Sequence, residues 1–128
     1  MIYKFDLKIY PRVLWVTYDA TPEELSKLFP TDPDGNVINW LEDFSGYACE
    51  MNVFSAPSNE GGMLIRFENK EALTTEHIAH EAVHAADDVY YFIGATSDVT
   101  NNEPYAYLVG YIANCCTKVL NYENTGDN

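Results

Sequence analysis

Apolar and polar side chains alternate through residues 2–9, IYKFDLKI, which is the period of a half-buried strand. Pro11 interrupts that run. The following segment, RVLWVTY at 12–18, is rich in β-branched and aromatic residues and predicts a second strand. A short helix opens next, with Thr21 as its N-cap, Pro22 at the first helical position and Glu24 three residues after the cap. It ends near Phe29 and Pro30. A turn cluster, TDPDGN at 31–36, leads into the ambiguous segment NVINWLEDF. Residues 47–54 and 63–67 read as two further strands joined by the loop SAPSNEGG.

From residue 74 to 93 the period becomes helical, and Gly94 follows as a C-cap. The loop ATSDVTNN then leads to a last helix over residues 103–120, with Asn101 or Asn102 as cap and Pro104 in its first turn. The tail NYENTGDN is polar. The pattern predicts a single α+β domain spanning residues 1–128. A mostly antiparallel sheet from about 2–67 carries two long C-terminal helices on one side, at about 74–93 and 103–120.

Composition narrows the function. With 47% hydrophobic and 14% aromatic residues in a chain of 128, one core can form without staples. Seven basic side chains against twenty acidic ones give a formal charge of −13, which argues against nucleic acid and anionic membrane surfaces as partners. Cys49, Cys115 and Cys116 are odd in number and two are adjacent, so no disulfide framework is expected. The first residues, MIYKFDLKIYP, lack the apolar run of a signal peptide, and no stretch approaches the roughly 18 apolar residues of a membrane span. The expectation is a reduced, soluble, cytoplasmic protein.

The chemistry concentrates in TTEHIAHEAVH at 74–84, which holds all 3 histidines of the chain. On a helix His80 and His84 stand at i and i+4, one above the other, with Glu81 beside them. This H-E-x-x-H spacing lets two imidazoles grip one zinc ion while the glutamate serves as general base. Two ligands do not complete a catalytic zinc site, for which three protein ligands and a water are usual. Glu103, at the start of the last helix, is the candidate third ligand: the short loop returns the chain antiparallel, and a helix start favours a carboxylate. Asp87 shares the histidine face and competes with it.

An H-E-x-x-H motif, then eighteen residues, then glutamate in an Asn–Glu–x–x–Ala context, resembles the gluzincin metallopeptidases. The spacing is similar to that of the membrane-alanyl-aminopeptidase branch, and a single domain of this size looks like a minimal gluzincin. The resemblance covers residues 76–108. It implies His80, His84 and Glu103 as ligands of one zinc ion, Glu81 as general base, and Asn102 and Ala106 as the flanks of the glutamate ligand. Where thermolysin-like enzymes carry an acidic residue four positions after that glutamate, this chain has Tyr107. The usual carboxylate partner for a histidine ligand is thus unassigned, with Asp87, Asp88 or a backbone carbonyl as candidates.

The expected activity is zinc-dependent hydrolysis of a peptide or protein substrate, with Glu81 moving the proton. An oxyanion donor could come from His77 or from Tyr90, Tyr91, Tyr105, Tyr107 or Tyr111. His77 stands three residues before His80, as a rim group or as a fourth ligand. An extended substrate in this superfamily pairs with an edge strand, for which GGMLIRF, and Gly62, Met63 and Leu64 in particular, is the candidate; a plain sheet strand is the other reading. The alternative function is a catalytically silent zinc-binding interaction module, related to a phage or mobile element, in which His77 closes the site.

Overall fold

The computed structural model describes residues 1–42 and 46–125, with the side chains of 123–125 left aside. Its elements follow in the order β1 (Ile2–Asp6), β2 (Val13–Thr17), α1 (Pro22–Leu28), β3 (Ala48–Ser55), β4 (Glu60–Phe67), a 3-10 turn (Lys70–Ala72), α2 (Thr75–Ile93) and α3 (Glu103–Thr125). The α+β class is as the pattern predicts. One four-stranded sheet runs in the order β1-β2-β4-β3. β1 pairs antiparallel with β2 and β3 with β4, whereas β2 and β4 run parallel. The last two residues of the ambiguous segment, 43 and 44, lie outside the described residues, as does residue 45.

The caps act as the sequence indicates. Thr21 and Glu24 exchange side-chain-to-backbone bonds in a capping box at the start of α1. The Thr74 hydroxyl accepts from the His77 amide at the start of α2, and Gly94 ends that helix with a left-handed φ of 71°. At α3 the Asn102 carbonyl accepts the first helical bond, from Ala106.

Two strand boundaries differ from the periodic reading. β1 stops at Asp6 because the chain turns at Leu7–Tyr10, where Lys8 takes φ 63° and its amide donates to the Asp6 carboxylate. Leu7 there is buried and feeds the core, but the alternation ends with it, since Ile9 is 86% exposed. β4 starts at Glu60 and takes in both glycines that the sequence assigned to a loop.

The glycines in β4 have steric reasons. A Cβ on Gly62 would lie 1.9 Å from the Val13 carbonyl oxygen, so only glycine permits the parallel approach of β2 and β4. A Cβ on Gly61 would lie 2.8 Å from the Arg12 guanidinium, which crosses over it. These contacts correct the expected substrate strand. Gly62, Met63 and Leu64 sit on an interior strand with a neighbour on each side, and Met63 and Leu64 are wholly buried. The edges of the sheet are β1 and β3. The parallel β2–β4 pairing, which links strands far apart in the chain, is what moves β4 inward.

Both faces of the sheet are covered. On one, Trp15, Val53 and Leu64 pack against Leu25 and Phe29 of the α1 region and against Trp40, whose indole N–H donates to the Phe29 carbonyl at 2.8 Å. On the other, Leu14, Val16, Met63, Ile65 and Phe67 meet α2 through Ile78, Ala82, Ala85, Ala86 and Val89 and α3 through Leu108, Ile112, Cys115, Cys116 and Val119. Each large apolar side chain enclosed in this way contributes roughly 1.5–3 kcal/mol. The alanines on α2 let the helix lie close to its neighbours. No helix among the described residues is long and apolar enough to cross a membrane. All three cysteines are free.

Candidate metal centre

The helical period of α2 turns Ile78, Ala82, Ala85 and Val89 inward and leaves His80 and His84 outward. Glu81 lies between these faces. Its side chain is 7% exposed, against 66% for His80. The His80 and His84 rings meet edge to face, with centroids 4.8 Å apart. One nitrogen from each ring and one Glu81 oxygen all lie within 4.8 Å of one another. His80, Glu81 and His84 therefore form a group that can hold a metal ion. Tetrahedral ligands at about 2.1 Å from an ion stand about 3.4 Å apart, a separation that falls inside this spacing.

Glu81 also has a specific partner: the Nδ1 atom of His80 lies 2.8 Å from its Oε2. The expected partners for the histidines, Asp87 and Asp88, are used elsewhere. Asp87 accepts from the Tyr105 hydroxyl at 2.6 Å, a bond that ties α3 to α2. Burial and that carboxylate push the Tyr105 phenol up to about 12. Asp88 is hydrogen-bonded to Glu50 across the gap to β3. His77 stays outside the group. Its Nδ1 pairs with the Ala72 carbonyl at 2.8 Å, and its ring stacks on Tyr47 at 5.2 Å.

Glu103 does not join the group. Tyr105 meets Asp87 and Tyr90, while Cys116 lies within electrostatic reach of Glu81, so α2 and α3 run antiparallel as expected. That register sets the first turn of α3 beside the far end of α2, past His84, and Tyr105 rather than Glu103 faces the helix. Glu103 is exposed and lines a groove of about 420 Å³ with Leu7, Lys8, Tyr10 and Tyr107. Tyr107 is 75% exposed on that groove. Tyr111 is held by its hydroxyl, which donates to the Asp6 carbonyl.

A buried polar system beside the group has no counterpart in the sequence reading. Glu50 points from β3 toward α2, and burial, the bond to Asp88 and the charges of Asp88, Glu81 and Asp87 push its carboxyl up to about 9. Arg12, 7% exposed, donates to the Asn52 side chain at 3.2 Å and lies over the Phe92 ring. Burial lowers its guanidinium, and the nearby charges of Asp88 and Glu50 oppose that shift. Cys49 is pushed up to about 11 by burial, with Arg66 opposing and Glu81 and Glu50 adding to the shift. The signal available in the sequence was the pair Glu50 and Asn52 at alternate positions of a strand, on the side that also bears Ala48.

No protein-family model matches the chain, and neither a curated protein nor a solved structure is significantly similar to it.

Proposed function

We propose that this chain binds one zinc ion through His80 and His84 and hydrolyses peptide bonds, with Glu81 as general base. The observation that carries the reading is the convergence of two imidazole nitrogens and one carboxylate oxygen within 4.8 Å on a single capped helix. When bound, such an ion supplies a Lewis acid that polarises a carbonyl and acidifies water. Glu81 takes a proton from the attacking water on Oε1, since Oε2 is engaged by His80, and returns it to the departing amine nitrogen as the C–N bond breaks. An extended peptide has β3 as its pairing edge beside α2; among the described residues, the Thr31–Phe54 bridge is the contact on its outer side.

Glu81→Gln tests the assignment, because it keeps the shape and removes the base. With zinc bound, hydrolysis of a peptide library should fall on the order of a hundredfold or more. His84→Ala should lose metal and activity together. Equal cleavage by Glu81→Gln and wild type would remove the mechanism and leave the metal.

One observation favours a second reading, the catalytically silent zinc-binding module. Glu103, the glutamate ligand that the gluzincin resemblance implies, lines a different groove, and among the described residues only Glu81 stands with His80 and His84 as a possible third ligand. A zinc-loaded wild type that cleaves nothing in the library would establish that reading.

A further inference from the structure

We infer that Glu81 is a positioning residue for His80: it fixes the imidazole in the tautomer protonated at Nδ1 and so presents the Nε2 lone pair outward to the metal. The inference rests on His80 being a ligand, and it adds to Glu81 a role that the H-E-x-x-H spacing does not indicate. A residue at i+1 points about 100° around the helix from its neighbour, so spacing alone makes Glu81 irrelevant to the ligand set.

The structure brings the two side chains together in another way. Glu81 is turned toward the core, and the exposed His80 ring leans over it with Nδ1 at 2.8 Å from Oε2. A carboxylate oxygen only accepts, so the proton in this bond belongs to Nδ1. A neutral imidazole carries one ring proton, which leaves Nε2 unprotonated and available as a ligand. The carboxylate also has reason to hold this donor: its other near neighbours include the Glu50 carboxyl and the thiols Cys49 and Cys116. A metal ligand oriented by a carboxylate on its second nitrogen is a common arrangement, in which loss of the carboxylate lowers metal affinity about 10–100-fold. His77 shows the contrast within the same helix. Its Nδ1 is tied to a backbone carbonyl, 2.8 Å away, and it stands outside the metal group.

Two measurements test the proposal without any assay of activity. The first is the 15N spectrum of metal-free wild-type protein, held above the pH at which imidazoles titrate. His80 should carry its proton on Nδ1, against the ordinary preference of histidine for Nε2, and Glu81→Ala should restore that preference. The second is zinc affinity, measured by competition with a chromophoric chelator. Glu81→Ala should bind about 10–100-fold more weakly than wild type, and Glu81→Gln, whose amide oxygen still accepts from Nδ1, should fall between the two. Circular dichroism of each variant checks that α2 is intact. An Nε2-protonated His80 in the wild type overturns the proposal, as does a folded Glu81→Ala that binds zinc as tightly as wild type. The tautomer reads on the His80–Glu81 pair even if zinc does not bind, so failure of the proposed function and failure of this inference are distinguishable.

Discussion

The two flanks of α2 are built from opposite materials. Toward α3 the contact is apolar apart from the Tyr105–Asp87 bond, with small side chains such as Ala82 and Ala86 set beside Ile112, Cys116 and their neighbours. Toward β3 it is polar: Glu50 meets Asp88, Arg12 crosses to Asn52, and His77 stacks on Tyr47. Glu81 sits where the flanks meet, near Cys116 on one side and Glu50 on the other. The difference separates two tasks. The apolar flank holds the helix in place by area removed from water, whereas the polar flank tolerates a buried carboxyl, Glu50, that stays protonated beside the metal group.

Breaking the apolar flank should have the larger effect. Ile112 is wholly buried there. Ile112→Ala should cost about 2–5 kcal/mol in chemical denaturation and leave zinc affinity of the folded protein unchanged. A change in affinity as large as the change in stability would show that the two flanks are not separate.

The polar flank should respond to pH. The Glu50 carboxyl in the folded protein lies at about 9, above the ordinary 4.5, so between those values the folded state holds a proton that the unfolded chain has released. The stability it contributes is fully present below about pH 4.5 and is lost progressively as pH rises toward 9. Glu50→Gln keeps a donor for Asp88 and cannot ionise. At pH 8 it should therefore be more stable than wild type by about 1 kcal/mol, with a flatter profile across that window. A variant less stable than wild type at pH 8 would contradict the assignment of Glu50 as a protonated, buried group.

The same division explains what the sequence made legible. The start of α1 and both ends of α2 were readable because caps are local: the Thr21–Glu24 box, Thr74 and Gly94 each act within one turn, whereas α3 runs to Thr125, past the expected end at residue 120. The His80–Glu81–His84 group was readable for the same reason, since one helix supplies all of it. The contents of the polar flank were not, because Glu50 on β3 and Arg12, just before β2, reach α2 from a sheet whose strand order depends on the distant β2–β4 pairing. That pairing also hid the interior place of Gly62, Met63 and Leu64. Glu103 is the sharpest case: a spacing of eighteen residues counts along the chain, but the register of α3 on α2 is set by side chains such as Tyr105 packing against Tyr90 and bonding Asp87.

The central claim is that His80 and His84 hold a zinc ion on α2. Anomalous scattering at the zinc edge, from crystals of protein purified without added metal, tests it most directly. The account predicts one peak at about 2.1 Å from a ring nitrogen of both His80 and His84. No peak at those histidines, or a peak on Glu103 in its own groove with the imidazoles empty, would contradict it.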